Sequence, residues 1–149
     1  MDAIDREILA NLQQEGRLTV TELAGRIPLS VSRCQRRLRE LEAEGVVRGY
    51  HADVDGEKVG LAFSAIVFVT MRQEDRDTVA GFEAGVAEIP EIVTAQRLFG
   101  DPDYLLHVAA ADLHAYQRLY DDKLAGLPGV QRLTSTLVMK DVVDRGLPL

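Results

Sequence analysis

At 149 residues, with 46% hydrophobic and 28% charged side chains, the chain has the composition of a globular protein of one domain or two small ones. A formal charge of -7 argues against a body that attracts nucleic acid as a whole, no apolar run approaches the ~20 residues of a membrane span, and MDAIDREILA is not a basic, apolar leader. The single cysteine, Cys34, excludes an internal disulfide and a multi-thiolate metal site, so a cytoplasmic protein without membrane association is expected.

The first sixty residues predict three helices in quick succession. Asp2 can cap a helix from Ala3 to about Gln14, with Ile4, Ile8, Leu9 and Leu12 on one face and Gly16 ending it. Thr19, with Glu22 three residues on, has capping-box spacing for a second helix over roughly Val20 to Ile27, stopped by Pro28. Ser30 is the N-cap expected for a third helix running to about Glu44, with Leu29 packing on Cys34 and Gly45 as the stop.

Charge is uneven: between Arg17 and Arg39 stand six arginines and one acid, Glu22. At ~100° per residue Val31, Cys34, Leu38 and Leu41 form the inner stripe of the third helix. Ser32, Arg33, Arg36 and Arg39 fall opposite, Gln35 and Arg37 flank the stripe, and Ser30 opens the N-terminal turn towards an anion. Such charges can be a solvated face paired with glutamates. A short helix, a tight turn and a longer basic helix is also the layout that sets a recognition helix in the major groove. VVRGYHADVD after Gly45 reads as a strand or hairpin, either a wing with Arg48 reaching phosphate or a plain exit strand.

These residues resemble the N-terminal domain of the Lrp/AsnC family of bacterial and archaeal transcription regulators. The resemblance is carried by D-x-x-D-x-x-I-L, G-R, L-S-x-S-x-C-x-x-R-x-x-x-L-E and G-V-x-x-x-Y-x-A, in order and without gaps. Pro28 departs from it, standing where a glycine is usual. The resemblance implies a winged helix-turn-helix that binds double-stranded DNA through Ser30, Ser32, Arg33, Gln35, Arg36, Arg37, Arg39 and Arg48.

DGEKVG reads as a linker, and the periodicity then changes. A strand from Phe63, a helix over 76–88 with Val79, Phe82, Val86 and Ile89 inward, and strands over Ile92 to Phe99 and from about Asp103 follow. LHAYQRLYDDKLAGL predicts a helix with Leu113, Tyr116, Tyr120, Leu124 and Leu127 inward, and VQRLTSTLVMKDV a last strand. Strand-helix-strand twice, with Pro90 and Pro128 in equivalent places, predicts a ferredoxin-like βαββαβ sandwich. The expected class is thus α+β: a winged helix-turn-helix over residues 1–53, a linker over 54–62 and a ferredoxin-like domain over 63–149. In the first strand Ala65, Val67, Val69 and Met71 alternate with Ser64, Ile66, Phe68 and Thr70. Both faces are largely apolar, so the uncovered one is expected to meet a second copy, giving a homodimer.

F-G-D-P-D-Y-L-L-H-V, L-P-G-V and T-S-T-L-V-M-K-D-V make this half similar to the effector-binding RAM domain of the same family. That similarity implies a dimer through the sheet, an octamer built as a tetramer of dimers, and a ligand held where dimers meet. Gly100-Asp101-Pro102-Asp103-Tyr104 alone reads as a hairpin turn. An α-amino acid needs carboxylates for its ammonium, for which Asp101 and Asp103 serve, and hydroxyls or N–H groups for its carboxylate, for which Thr134, Ser135 and Thr136 serve. The resemblance implies a small-molecule effector, an amino acid or related metabolite, near Gly100, Asp101, Asp103, Tyr104, Thr134, Ser135 and Thr136, with Gln131 at the same edge. Tyr104 is either a pocket wall or core.

Catalysis is not expected. His51, His107 and His114 are scattered, Cys34 lies on an inner helix face, and no phosphate-loop, dinucleotide or zinc motif occurs. DVDGE, residues 53–57, opens like a calcium loop but lacks the distal glutamate. No metal and no cofactor is expected. The alternative to an effector-switched regulator is a ligand-independent or architectural DNA-organising protein.

Overall fold

The computed structural model describes residues 1–149, which divide into two compact units: Met1–Asp53 with Val142–Leu149, and Val54–Asp141.

In the first unit α1 spans Ala3–Gln14, α2 Val20–Arg26 and α3 Val31–Ala43. Two reciprocal capping boxes start α1 and α2. Asp2 accepts from the Asp5 N–H at 3.0 Å while Asp5 accepts from the Asp2 N–H at 2.8 Å; Thr19 and Glu22 exchange the same pair of bonds. Each box satisfies N–H groups that a helix start otherwise leaves open. At the other end of α3, Gly45 sits at φ 71, its N–H donating to Glu42 and that of Val46 to Leu41, so the helix ends in a Schellman turn that only a residue tolerant of positive φ makes without strain. Ile8, Leu23 and Cys34 are wholly enclosed, and Leu9, Ile27 and Leu41 complete the core.

Several expectations are corrected here. Ser30 occupies the N-cap of α3, but its hydroxyl lies 3.3 Å from that of Ser32 and caps no helix N–H. Val31 is 46% exposed, since a helical wheel fixes an angle and not how far along the axis the packing partners reach. Residues 46–53 form no strand. The amides of Val46 and Val47 both donate to the Leu41 carbonyl, and no neighbouring strand of the chain offers a ladder. Residues 142–149, expected with the second half, pack with the first unit, where the Gln13 amide accepts from the Leu147 N–H at 2.6 Å and donates to the Leu147 carbonyl at 3.2 Å.

In the second unit the expected linker is an ordered turn. Residues Glu57–Val59 form one turn of 3-10 helix, and Asp55 accepts from the Lys58 N–H at 3.3 Å. Then come β1 (Phe63–Met71), α4 (Arg76–Ala87), β2 (Ile92–Arg97), β3 (Tyr104–Ala110), α5 (Leu113–Asp122) and β4 (Val130–Leu137). The sheet order β2-β3-β1-β4, antiparallel throughout, is the ferredoxin-like arrangement. Ala65, Val67 and Val69 of β1 and Leu106 of β3 are enclosed beneath the helices with Phe82, Val86, Tyr116, Leu119 and Leu124. Leu113 is exposed, and Leu119 takes the inward place in α5. β2 stops at Arg97 because the Leu98 N–H donates to the Asp103 carbonyl and closes the turn. Gly129 enters β4 at φ 73 with Thr78 and Met71 pressed against it, where a side chain would have no room.

Candidate DNA-reading surface and ligand clefts

On α3 the side chains of Ser32, Arg33, Gln35, Arg36 and Arg39 are exposed, as is Arg48 beyond the helix. Their partners differ. The Arg36 guanidinium is 2.8 Å from Glu40 one turn on, whereas Arg33 and Arg39 have no carboxylate within ion-pair distance. Because Ser30 caps no helix N–H, the first-turn amides of α3 are open to an anion.

Arg37 departs from its expected place. It turns back to α1, 2.7 Å from Asp5 and 2.8 Å from Asp2, which makes it a brace between helices. Hydrogen bonding to Asp5 and Asp2 raises its pKa above the usual value, and the Asp2 carboxyl is lowered by the Asp5 N–H and by Arg37. The Arg26–Glu15 pair at 2.5 Å ties α2 to the end of α1 in the same way. Cys34 is buried, and burial raises its thiol pKa, the reverse of what a nucleophile needs.

In the second unit the Gly100–Tyr104 turn is held by Asp103. Its N–H donates to the Val69 carbonyl at 2.9 Å, and its carboxylate accepts from the Met71 N–H at 2.6 Å. Asp103 is therefore half-committed to fixing the turn on β1, while Asp101 is exposed. Gly100, Asp103 and Tyr104 line a cleft of about 280 Å³ with Glu74, Arg97 and Phe99.

The β4 candidates are distributed otherwise. Thr134 and Thr136 stand opposite Phe68 and Ile66 on the sheet face away from the helices. Ser135, between them, faces α5 and shares a hydrogen bond with the Tyr116 hydroxyl. It is exposed on the edge strand but belongs to the helix side of the sheet, which removes it from any site on the open face, because strand neighbours alternate. Gln131 is exposed near the same sheet end as the turn. One chain thus gathers Gly100, Asp103 and Tyr104 but not the Thr134 and Thr136 hydroxyls.

A second cleft of about 300 Å³ lies between α4 and β2. Glu83 and Arg97 stand at it, and neither was expected from sequence. Helical spacing marks Phe82 and Val86 as inward, but that Glu83 meets a β2 arginine follows only from the pairing of β2 with β3. Tyr104 donates to Glu83 at 2.8 Å, and burial, then Glu83, pushes its hydroxyl up to about 12.

Three helices with a short α2, a tight turn and an outward basic α3, joined in one chain to a ferredoxin-like unit with a turn-lined cleft, define a helix-turn-helix DNA-binding protein with a separate ligand domain. Residues 64–148 match the model of the Lrp/AsnC ligand binding domain, and residues 1–48 that of a winged helix-turn-helix DNA-binding domain. The Bkd operon transcriptional regulator of Pseudomonas aeruginosa is 36% identical, over 99% of this chain and 97% of its own. The leucine-responsive regulatory protein of Salmonella typhimurium is 35% identical, over 95% and 87%. Among solved structures, a transcriptional regulator of Neisseria meningitidis in complex with L-Met superposes with a TM-score of 0.94 at 38% identity, covering 99% of this chain and 96% of that one. The chain belongs to the Lrp/AsnC family of transcriptional regulators, and is a DNA-binding regulator of that type.

Proposed function

We propose that the protein is a cytoplasmic, non-enzymatic regulator, without metal or cofactor, that reads operator DNA with α3 and changes its assembly or affinity on binding an amino acid or related metabolite. The observation that carries the DNA half is the outward face of α3: Ser32, Arg33, Gln35, Arg36 and Arg39 exposed along one helix, with uncapped amides at its start and Arg48 beyond. Arg37 contributes through the fold, as the brace to Asp2 and Asp5.

The effector half rests on the Gly100–Tyr104 turn and its cleft, and on the relative of known structure that holds L-Met. Asp101 and the free oxygen of Asp103 are the acceptors for an ammonium, and Thr134, Thr136 and Gln131 the candidates for a carboxylate. Because one chain does not bring the Thr134 and Thr136 hydroxyls to the turn, a site that uses them is completed by a second chain. The open sheet face, with Ile66, Phe68, Leu105 and Ala109 uncovered by helix, supports a homodimer; the octamer proposed with it is built from four such dimers meeting at their turns.

Selection of duplexes from a random pool, followed by anisotropy titration of the winners, tests the DNA reading. Specific binding at 10³-fold or more over random duplex is expected. Uniform binding to all duplexes would favour an architectural protein instead. A thermal-shift panel of the twenty amino acids and their keto acids tests the effector: a concentration-dependent rise for one chemical group, lost in Asp101→Ala, is expected.

A further inference from the structure

The chain passes between its two units twice, at Asp53–Val54 and at Asp141–Val142. The second passage ties the units together only while the C-terminal segment stays on the first of them. That segment leaves the sheet at Val138, whose N–H donates to the Ser64 carbonyl at 3.0 Å, and is next held at Leu147. There the Gln13 carboxamide, in the last turn of α1, accepts from the Leu147 N–H at 2.6 Å and donates to the Leu147 carbonyl at 3.2 Å. A carboxamide carries donor and acceptor side by side, so one side chain makes the pair of bonds that a neighbouring strand would make. Gly146 is fitted to it. A Cβ there would overlap the Gln13 carboxamide and stand 3.2 Å from the Gln13 Cβ, so the glutamine could not keep its place.

Little else holds the segment. Residues 139–149 form no other hydrogen bond, Asp144 and Arg145 enter no ion pair, and Val142, Val143 and Leu147 are exposed. Hydrogen bonds exposed to water have a small net strength, and the entropy of ordering the residues between Val138 and Leu147 opposes them. The contact therefore opens while both units stay folded. We infer that residues 139–149 are a releasable strap, with Gln13 as its catch. Latched, the strap gives the DNA-reading unit a second tie to the ligand unit, and so restricts the half-site spacing at which the two reading units of a dimer enter the groove. Released, it leaves one tie and a wider range of spacings. The strap rests on the DNA reading and the homodimer proposed above.

Trypsin reads the catch, because Arg145 immediately precedes Gly146. Timed digestion of the full-length protein, followed by intact mass, is expected to remove residues 146–149 about fivefold faster from Gln13→Ala and Gly146→Ala than from the parent. Gln13→Glu should fall between, since it keeps the acceptor for the Leu147 N–H and loses the donor to its carbonyl. Circular dichroism establishes that each variant is folded, and unchanged cutting at other sites that the loosening is local. Operator duplexes read the consequence. Moving the half-sites of a selected operator apart by about 5 base pairs, half a helical turn, is expected to weaken binding of the parent about tenfold or more by anisotropy titration, and that of Gln13→Ala and Gly146→Ala less than about threefold. The strap is overturned if Arg145 is cut at one rate in the parent and both variants, or if all three lose the same affinity on the respaced duplex. A parent that binds no duplex specifically overturns the DNA reading and the strap together, whereas specific binding with one spacing profile for parent and variants overturns the strap alone.

Discussion

The Arg37 guanidinium on α3 lies 2.7 Å from the Asp5 carboxylate on α1. Asp5 also receives the Asp2 N–H in the box that starts α1, so one carboxylate serves the helix start and the angle between two helices. Arg37→Ala is expected to lower the thermal midpoint of the first unit by a few degrees while leaving sequence preference on DNA unchanged, because the side chain does not belong to the outward face. Calorimetry and a selection profile on the variant check both parts.

Arg36 sits on the outward face but is engaged by Glu40. Arg36→Ala should weaken operator binding by roughly 1–3 kcal/mol if the side chain reads a base. Glu40→Gln should do the opposite: it frees the guanidinium and removes a negative charge near phosphate, raising affinity on all duplexes and steepening the salt dependence. Anisotropy titrations at several salt concentrations distinguish the two, and identical behaviour of parent and both variants would remove α3 from the reading surface.

The tyrosines give a pH signature. Burial, with Glu42 in one case and Glu83 in the other, pushes Tyr50 and Tyr104 up to about 12 from the ordinary 10.0. A raised folded value favours the neutral hydroxyl, so this stabilisation is complete below pH 10 and is lost as pH rises towards 12. Burial also raises the Tyr116 hydroxyl, so absorbance titration at alkaline pH should show three late tyrosines, with Tyr50→Phe and Tyr104→Phe each removing one.

At the acid end the sign reverses. The Asp2 and Asp75 carboxyls are lowered from 3.8, the first by the Asp5 N–H and Arg37, the second by hydrogen bonds from Thr78. Their contribution is whole above 3.8 and is lost as pH falls through the folded values. The thermal midpoint should therefore fall below about pH 4, and less steeply in Asp2→Asn than in the parent.

The open sheet face supplies a prediction of mass. Phe68 lies on it, opposite Thr134 and Leu105, and away from the buried row of Ala65, Val67 and Val69. Phe68→Asp should give a folded protein of half the parent's mass or less by light scattering, with operator affinity reduced because two recognition helices are no longer paired.

Periodicity made most of the architecture legible. The period-two run from Phe63 separated two strand faces without saying which one meets the helices, the 3.6 spacing of Val79, Phe82 and Val86 gave the core face of α4, and Thr19 with Glu22 marked a helix start. What failed were statements about partners. The wheel put Arg37 beside the stripe, but only the fold shows that Asp2 and Asp5 await it. Residues 46–53 alternate like a strand, yet a strand requires a neighbour, and the chain provides none. Thr134, Ser135 and Thr136 read as one hydroxyl cluster, although alternation turns Ser135 to Tyr116 and its neighbours to the open face. The Glu83–Arg97 cleft carries no motif at all, because it arises from how α4 packs beside β2, the element that follows it.

The most direct test of the account measures the affinity of the full-length protein for a selected operator duplex, at fixed salt, with and without each of the twenty amino acids. One amino acid or a chemically related group should change the apparent Kd by about 5- to 150-fold, the usual range of coupling between sites. An unchanged Kd with every amino acid, alongside tight specific DNA binding, would contradict the switch and leave a regulator set by DNA alone.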